Sequence, residues 1–130
     1  MCGFLTMGST EVEIDVFDEA LGKIEGRGPD MIEASRLFDK TFGFNRLAIM
    51  DFSENGMQPF SDDHTIVVCN GEIYNYPELK KNIMDEYTFK SSSDCEVLIP
   101  LYRKYGLDTL VRYLDGEYAF CLYDAGADKM

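Results

Sequence analysis

Histidine is almost missing from this chain: among 130 residues only His64 carries an imidazole. A mechanism that draws its base from histidine would have to use that one residue, and its setting beside Ser61, Asp62 and Asp63 reads as an exposed turn. Cysteine is sparse and scattered. Cys2, Cys69, Cys95 and Cys121 make no CxxC pair and no compact disulfide framework, which suits a reducing compartment and argues against zinc. Basic residues are few, 12 against 24 acids, and the net charge of −12 repels phosphate. Nucleic acid and anionic membrane surfaces are therefore not expected partners, while basic proteins stay compatible. No apolar run approaches the ~20 residues of a membrane span. The opening Met1 to Glu13 lacks the basic start and apolar centre of a signal peptide, so a cytoplasmic address is expected. Neither GxGxxG nor the GxxxxGK phosphate loop occurs, which removes the common nucleotide-binding loops.

What is present is enough for one ordinary globular domain spanning 1–130, with 45% hydrophobic and 28% charged residues. Cys2 to Met7 reads as a short buried strand, unusual so close to a chain end unless a sheet ties it down. Val16, Phe17, Ala20, Leu21 and Ile24 recur at helical spacing up to the Gly26, Gly28, Pro29 cluster. Thr41 to Met50 and Thr65 to Cys69 are aromatic and β-branched and read as strands, with a loop around Asn55, Gly56 and Pro59. Pro77 fits the first turn of a short helix through Met84, and Thr88 to Lys90 a brief strand. Ser93 and Glu96 have the spacing of a reciprocal helix cap, and Pro100 predicts a kink or early break in the helix that follows. Gly106 ends that helix, a short one covers Leu107 to Tyr113, and Glu117 to Tyr123 is a final strand. The order of elements points to an antiparallel α+β fold rather than a doubly wound parallel sheet.

Cys2 is the most informative residue. Removal of Met1 would leave one residue carrying both a thiol and an α-amine, unperturbed groups that titrate near about 8.5 and about 7.7 to 8.0. The amine can then take the thiol proton at little cost, which supplies a base without histidine. The plainer alternative is a small hydrophobe at a strand start. Arg46 has an equally plain reading as a surface salt bridge, Asn70-Gly71 as a hairpin turn and Asp94 as part of a helix cap.

After Met-Cys-Gly come the runs Arg27-Gly28-Pro29-Asp30, Asn45 to Asp51, Gln58-Pro59, Asn70 to Asn75 and Ser93 to Leu98, in that order. From Cys2 to about Asp124 the chain resembles the class II glutamine amidotransferase domain, an N-terminal-nucleophile (Ntn) hydrolase. Within that family it is most similar to the glutaminase domain of asparagine synthetase. The resemblance implies an αββα sandwich, antiparallel sheets layered between helices. It implies that Cys2 forms a thioester, that Asn70 and Gly71 hold the oxyanion, and that Arg46 grips the α-carboxylate of L-glutamine. Glu72 and Asp94 would receive its α-ammonium, and the strand after Arg46, with Leu47, Ile49 and Met50, would line the pocket. Lysine is a poor substitute for such a guanidinium.

Two departures stand out. Gly26 replaces the histidine that many asparagine synthetase domains carry before RGPD, and Pro100 sits in the helix after Asp94. The family's ATP-dependent synthetase domain, with its SGGxDS loop, has no counterpart before Met130. The expectation is a chain truncated at its C-terminus that needs no cofactor itself, ATP and Mg²⁺ belonging to a synthetase domain or partner, with an exposed sheet edge. Two further alternatives are a glucosamine-phosphate-synthase-like glutaminase, disfavoured by RGPD and NGEIYN, and a non-catalytic glutamine-binding or docking module.

Overall fold

The computed structural model describes residues 1–9 and 11–130. Two antiparallel three-stranded sheets form its centre. The first joins β1 (Gly3–Met7), β2 (Met31–Leu37) and β3 (Lys40–Arg46) in the order β1-β3-β2. The second joins β4 (Phe60–Ser61), β5 (Thr65–Ile73) and β6 (Gly116–Asp124) in the order β4-β5-β6. Helix α1 (Ile14–Gly22) covers the first sheet; α2 (Tyr76–Lys81), α3 (Leu98–Tyr105) and α4 (Leu107–Tyr113) cover the second. This is the expected α+β sandwich, helix, sheet, sheet, helix. Among the described residues no helix is long and apolar enough to cross a membrane.

Strand alternation builds the layers. Phe42 and Phe44 of β3 point between the sheets, where they meet Ile66 and Val68 of β5 and Tyr123 of β6, with Cys2 and Phe4 packed beside them. Each fully buried phenylalanine is worth about 1.5–3 kcal/mol. On the other face of β5, Val67, Cys69 and Ile73 meet Leu79, Leu98, Leu101 and Leu110 from the helices. Helix α1 buries Phe17 and Leu21, and the Asn45 amide donates to the Leu21 carbonyl at 2.9 Å, fastening the helix end to β3. The same parity puts Cys2, Arg46 and Asn70 on the inward faces, at one end of the inter-sheet layer.

Several local expectations change. The strand expected through Met50 stops at Arg46, because the chain leaves the sheet there to wrap the Arg46 side chain. Strand β5 runs on to Ile73, so Asn70-Gly71 lies within a strand paired to β6 and is no hairpin turn. Thr88 to Lys90 forms no strand; the Lys90 N–H donates instead to the Glu96 carboxylate. Ser93 does cap, its hydroxyl accepting from the Cys95 N–H at 3.3 Å, but Glu96 does not reach back. That buried carboxylate takes the N–H groups of Lys90 and Ser91 and the Ser91 hydroxyl. The break expected at Pro100 comes earlier: residues Asp94–Val97 wind as a 3₁₀ turn and α3 starts at Leu98. Pro100 thus falls in the first helical turn, where a missing N–H costs little. Strand β2 was not foreseen. As an edge strand it is half-exposed on both faces, so its side chains carry no clean alternation.

Candidate active site

A cavity of about 220 Å³ opens at the end of the inter-sheet layer. The first sheet and the loop after it contribute Cys2, Arg46, Leu47, Ile49 and Met50; the second contributes Asn70, Gly71 and Glu72; the turn before α3 contributes Asp94. Every residue singled out from the sequence for this site therefore lines one wall or another of the same space.

The Cys2 thiol is half-buried and lies against Leu47, whose N–H donates to Sγ at 3.3 Å and whose carbonyl accepts from it at 3.5 Å. Arg27 donates from Nε to the Cys2 carbonyl at 2.9 Å, so the RGPD loop and the sheet both hold the residue next to the chain end. Two further cysteines belong to the wall, Cys69 and Cys95. The hydrogen bond with Cys69, followed by burial, pushes the Cys95 thiol well above its ordinary range, which disqualifies it as a nucleophile at neutral pH. His64 is exposed in the β4–β5 turn and does not line the cavity.

Arg46 is 4% exposed and, among the described residues, forms no salt bridge. Its Nη1 donates to the Ser53 carbonyl at 2.7 Å and Nη2 to the Asp51 carbonyl, so the loop after β3 closes over the guanidinium. Gly56 completes the wrap; a Cβ there would lie 2.2 Å from Nη2. Nη1 also reaches the Met31 sulfur at 3.8 Å, and because all three acceptors are neutral the guanidinium keeps its full charge for an anion in the cavity. The segment Leu47 to Met50 is a loop rather than the expected strand, with Ile49 and Met50 about half exposed at the rim.

The edge of β5 explains why a glycine follows Asn70. Cys69 exchanges bonds with the Gln58 side chain: its N–H donates to Oε1 at 2.6 Å and its carbonyl accepts from Nε2 at 3.0 Å. The Ile73 N–H donates to Asp94 Oδ2 at 2.6 Å. By the two-residue alternation of a strand, the Gly71 N–H between them points to that same edge. A side chain at Gly71 would collide with β6, since a Cβ would sit 2.2 Å from the Glu117 carbonyl. The Asn70 carboxamide projects inward, and its buried Oδ1 has no hydrogen-bond partner among the described residues. Such a group costs about 1–3 kcal/mol unless something in the cavity supplies a donor.

Negative charge gathers at the opposite side. Asp94 is buried and held by Ile73, whereas Glu72 is exposed and faces Glu117 directly across the β5–β6 ladder. Like charges so placed disfavour the pairing. Burial, then Glu117 and Glu72, push the Tyr74 phenol above its ordinary range, a sign of the local field.

Three residues of this region escaped sequence reasoning: Asp51, Gln58 and Glu117, all on the cavity wall. Asp51 and Gln58 belong to runs already noted, but their contacts lie across the fold; Glu117 gave no signal beyond its place in a strand.

The family model described as "Glutamine amidotransferase domain" matches residues 1–130. A protein named probable asparagine synthetase, glutamine-hydrolyzing, from Acanthamoeba polyphaga mimivirus is 39% identical over 140 residues, covering 100% of this chain and 25% of the relative. Asparagine synthetase, glutamine-hydrolyzing, 1 of Arabidopsis thaliana is 38% identical over 130 residues, covering 95% of this chain and 22% of the relative. Amidase chry2 of Gibberella zeae is 37% identical over 129 residues, covering 95% of this chain and 19% of the relative. The chain thus spans a quarter or less of the curated relatives it is compared with.

Proposed function

Because this chain belongs to the glutamine amidotransferase domain family, we propose that its cavity hydrolyses the side-chain amide of L-glutamine to glutamate and ammonia. The observation that carries this reading is the meeting, in one cavity, of the Cys2 thiol, the wrapped Arg46 guanidinium and the Asn70-Gly71 edge. Once Met1 is removed, the Cys2 α-amine accepts the thiol proton and Sγ attacks the amide carbon. The carbonyl oxygen becomes an oxyanion, which the Asn70 amide and the Gly71 N–H receive. As the tetrahedral adduct collapses, the C–N bond breaks, the α-ammonium returns a proton to the leaving nitrogen, and ammonia departs. Water then cleaves the thioester to glutamate and restores the thiol.

Arg46 grips the α-carboxylate through paired hydrogen bonds, and Asp94 with Glu72 receives the α-ammonium. Leu47, Ile49 and Met50 flank the aliphatic part. Arg46→Lys is expected to raise KM for glutamine about tenfold while leaving kcat within a few-fold, because a clamp binds substrate and transition state nearly alike and a point charge loses the fork. Steady-state kinetics that leave KM unchanged remove that assignment.

We assign the ammonia to an ATP-dependent synthetase domain or partner that makes asparagine, and ATP and Mg²⁺ to that partner rather than to this cavity. A cytoplasmic location suits the reduced cysteines such chemistry needs. The deciding experiment pairs intact mass with ammonia release. Protein lacking Met1 should release ammonia and glutamate in equal amounts; protein retaining Met1, whose Cys2 nitrogen is a non-basic amide, should release neither. Ammonia release by the Met1-retaining form, or none by the trimmed form, overturns the mechanism, the latter in favour of a binding module.

A further inference from the structure

Asp51 makes contacts that the hydrolytic chemistry does not use. Its carboxylate is buried, and Oδ1 accepts from both the N–H and the hydroxyl of Ser53, at 2.8 and 2.7 Å. Oδ2 accepts from the Ser92 N–H at 2.7 Å, across 41 residues of sequence. The Asp51 main-chain carbonyl and the Ser53 carbonyl are the two acceptors that hold Arg46. Ser92 lies two residues before Asp94, joined to it through Ser93, whose N–H donates to the Ser91 hydroxyl. One carboxylate therefore fastens the loop that carries the guanidinium to the turn that carries the buried acid. The Ser53 hydroxyl, then the Ser92 N–H, with Arg46 further off, hold the Asp51 carboxyl below its ordinary range, so it stays ionised in this role.

We propose that Asp51 is a positioning residue that sets the spacing between the Arg46 and Asp94 clamps, and thereby makes the site require an α-carboxylate and an α-ammonium on the same carbon. The proposal rests on the glutamine reading given above. Those two groups of an amino acid are held at one fixed separation, so a clamp pair discriminates only while its own separation is fixed. With its oxygens occupied by Ser53 and Ser92, Asp51 is already committed within the protein, and acts through its neighbours. Asp51→Asn keeps size and shape but places either an N–H₂ group against the Ser92 N–H or one against the Ser53 donors, so one tie is lost.

The test is calorimetric binding on the Cys2→Ala chain, where turnover cannot interfere, with L-glutamine compared against glutaramic acid, which lacks the α-amino group. The unsubstituted Asp51 protein should prefer glutamine strongly. Asp51→Asn should shrink that preference about tenfold, the scale of one displaced charge-assisted hydrogen bond. A merely structural role would weaken both ligands alike and keep their ratio, and that outcome overturns the proposal. Should Asp51→Asn fail to fold, Ser53→Ala, at an exposed position, carries the test: the ratio should fall a few-fold, and an unchanged ratio overturns the proposal. Equal binding of the two ligands before Asp51 is touched overturns the clamp pair and the positioning role together. Preserved discrimination with no Cys2-dependent ammonia release overturns the reaction and leaves the positioning role standing.

Discussion

Ammonia release from glutamine is expected to fall by roughly 10⁴-fold or more when Cys2 becomes alanine, the scale seen when a covalent nucleophile is deleted. The other cysteines on the cavity wall are poor replacements, and Cys69 is buried on the helix-facing side of β5. Cys95 is pushed well up from its ordinary range and buried, and His64 lies outside the cavity. Asn70 and Gly71 would still polarise the amide, but with the thiol gone the α-amine left at position 2 has only water to activate, a far poorer nucleophile. Glutamine binding should survive, because Arg46 and Asp94 are anchored to Asp51, Ser53 and Ile73 rather than to Cys2. A coupled ammonia assay beside calorimetry checks both halves; turnover persisting in Cys2→Ala would end the thioester mechanism.

Asn70→Ala should separate rate from stability. Losing one oxyanion donor typically lowers kcat by about 10²–10³-fold, equivalent to about 2.7–4 kcal/mol in barrier, with KM nearly unchanged. Stability should move the other way or not at all. The Asn70 Oδ1 is buried without a partner, so alanine removes an uncompensated polar atom along with the donor. Thermal melting of Asn70→Ala is accordingly expected at or above that of the parent, while single-turnover rates drop. A lower melting temperature with an unchanged rate would show that the carboxamide serves the fold.

Strands β3 and β5 were legible in the sequence because β-branched and aromatic residues mark surfaces buried on both faces, and β6 because its residues alternate between two environments, although only Tyr123 in it is buried. Strand β2 was not, since no residue in it is fully buried and its exposed and half-buried positions follow no two-residue alternation. The end of β3 was misjudged because Leu47 to Met50 continues the apolar composition of the strand, whereas the break is set by a tertiary event, the loop folding over Arg46. Nine site positions came from runs that resemble a known family, and the cavity gathers all of them. Asp51 and Gln58 lay inside those same runs, yet their work consists of bonds to Ser92 and to Cys69, which no local pattern encodes.

The cavity sits across the seam between two sheets: thiol and guanidinium come from one, the Asn70-Gly71 edge from the other. Nothing covalent other than the distant chain path fixes their mutual distance. That gap is gauged by interlocked Phe42, Phe44, Ile66 and Val68, and close-packed interiors transmit small volume changes as shifts in position. If the proposed hydrolysis runs across this seam, its rate is a ruler laid across the protein's own core, sensitive to a methylene buried far from any reacting atom.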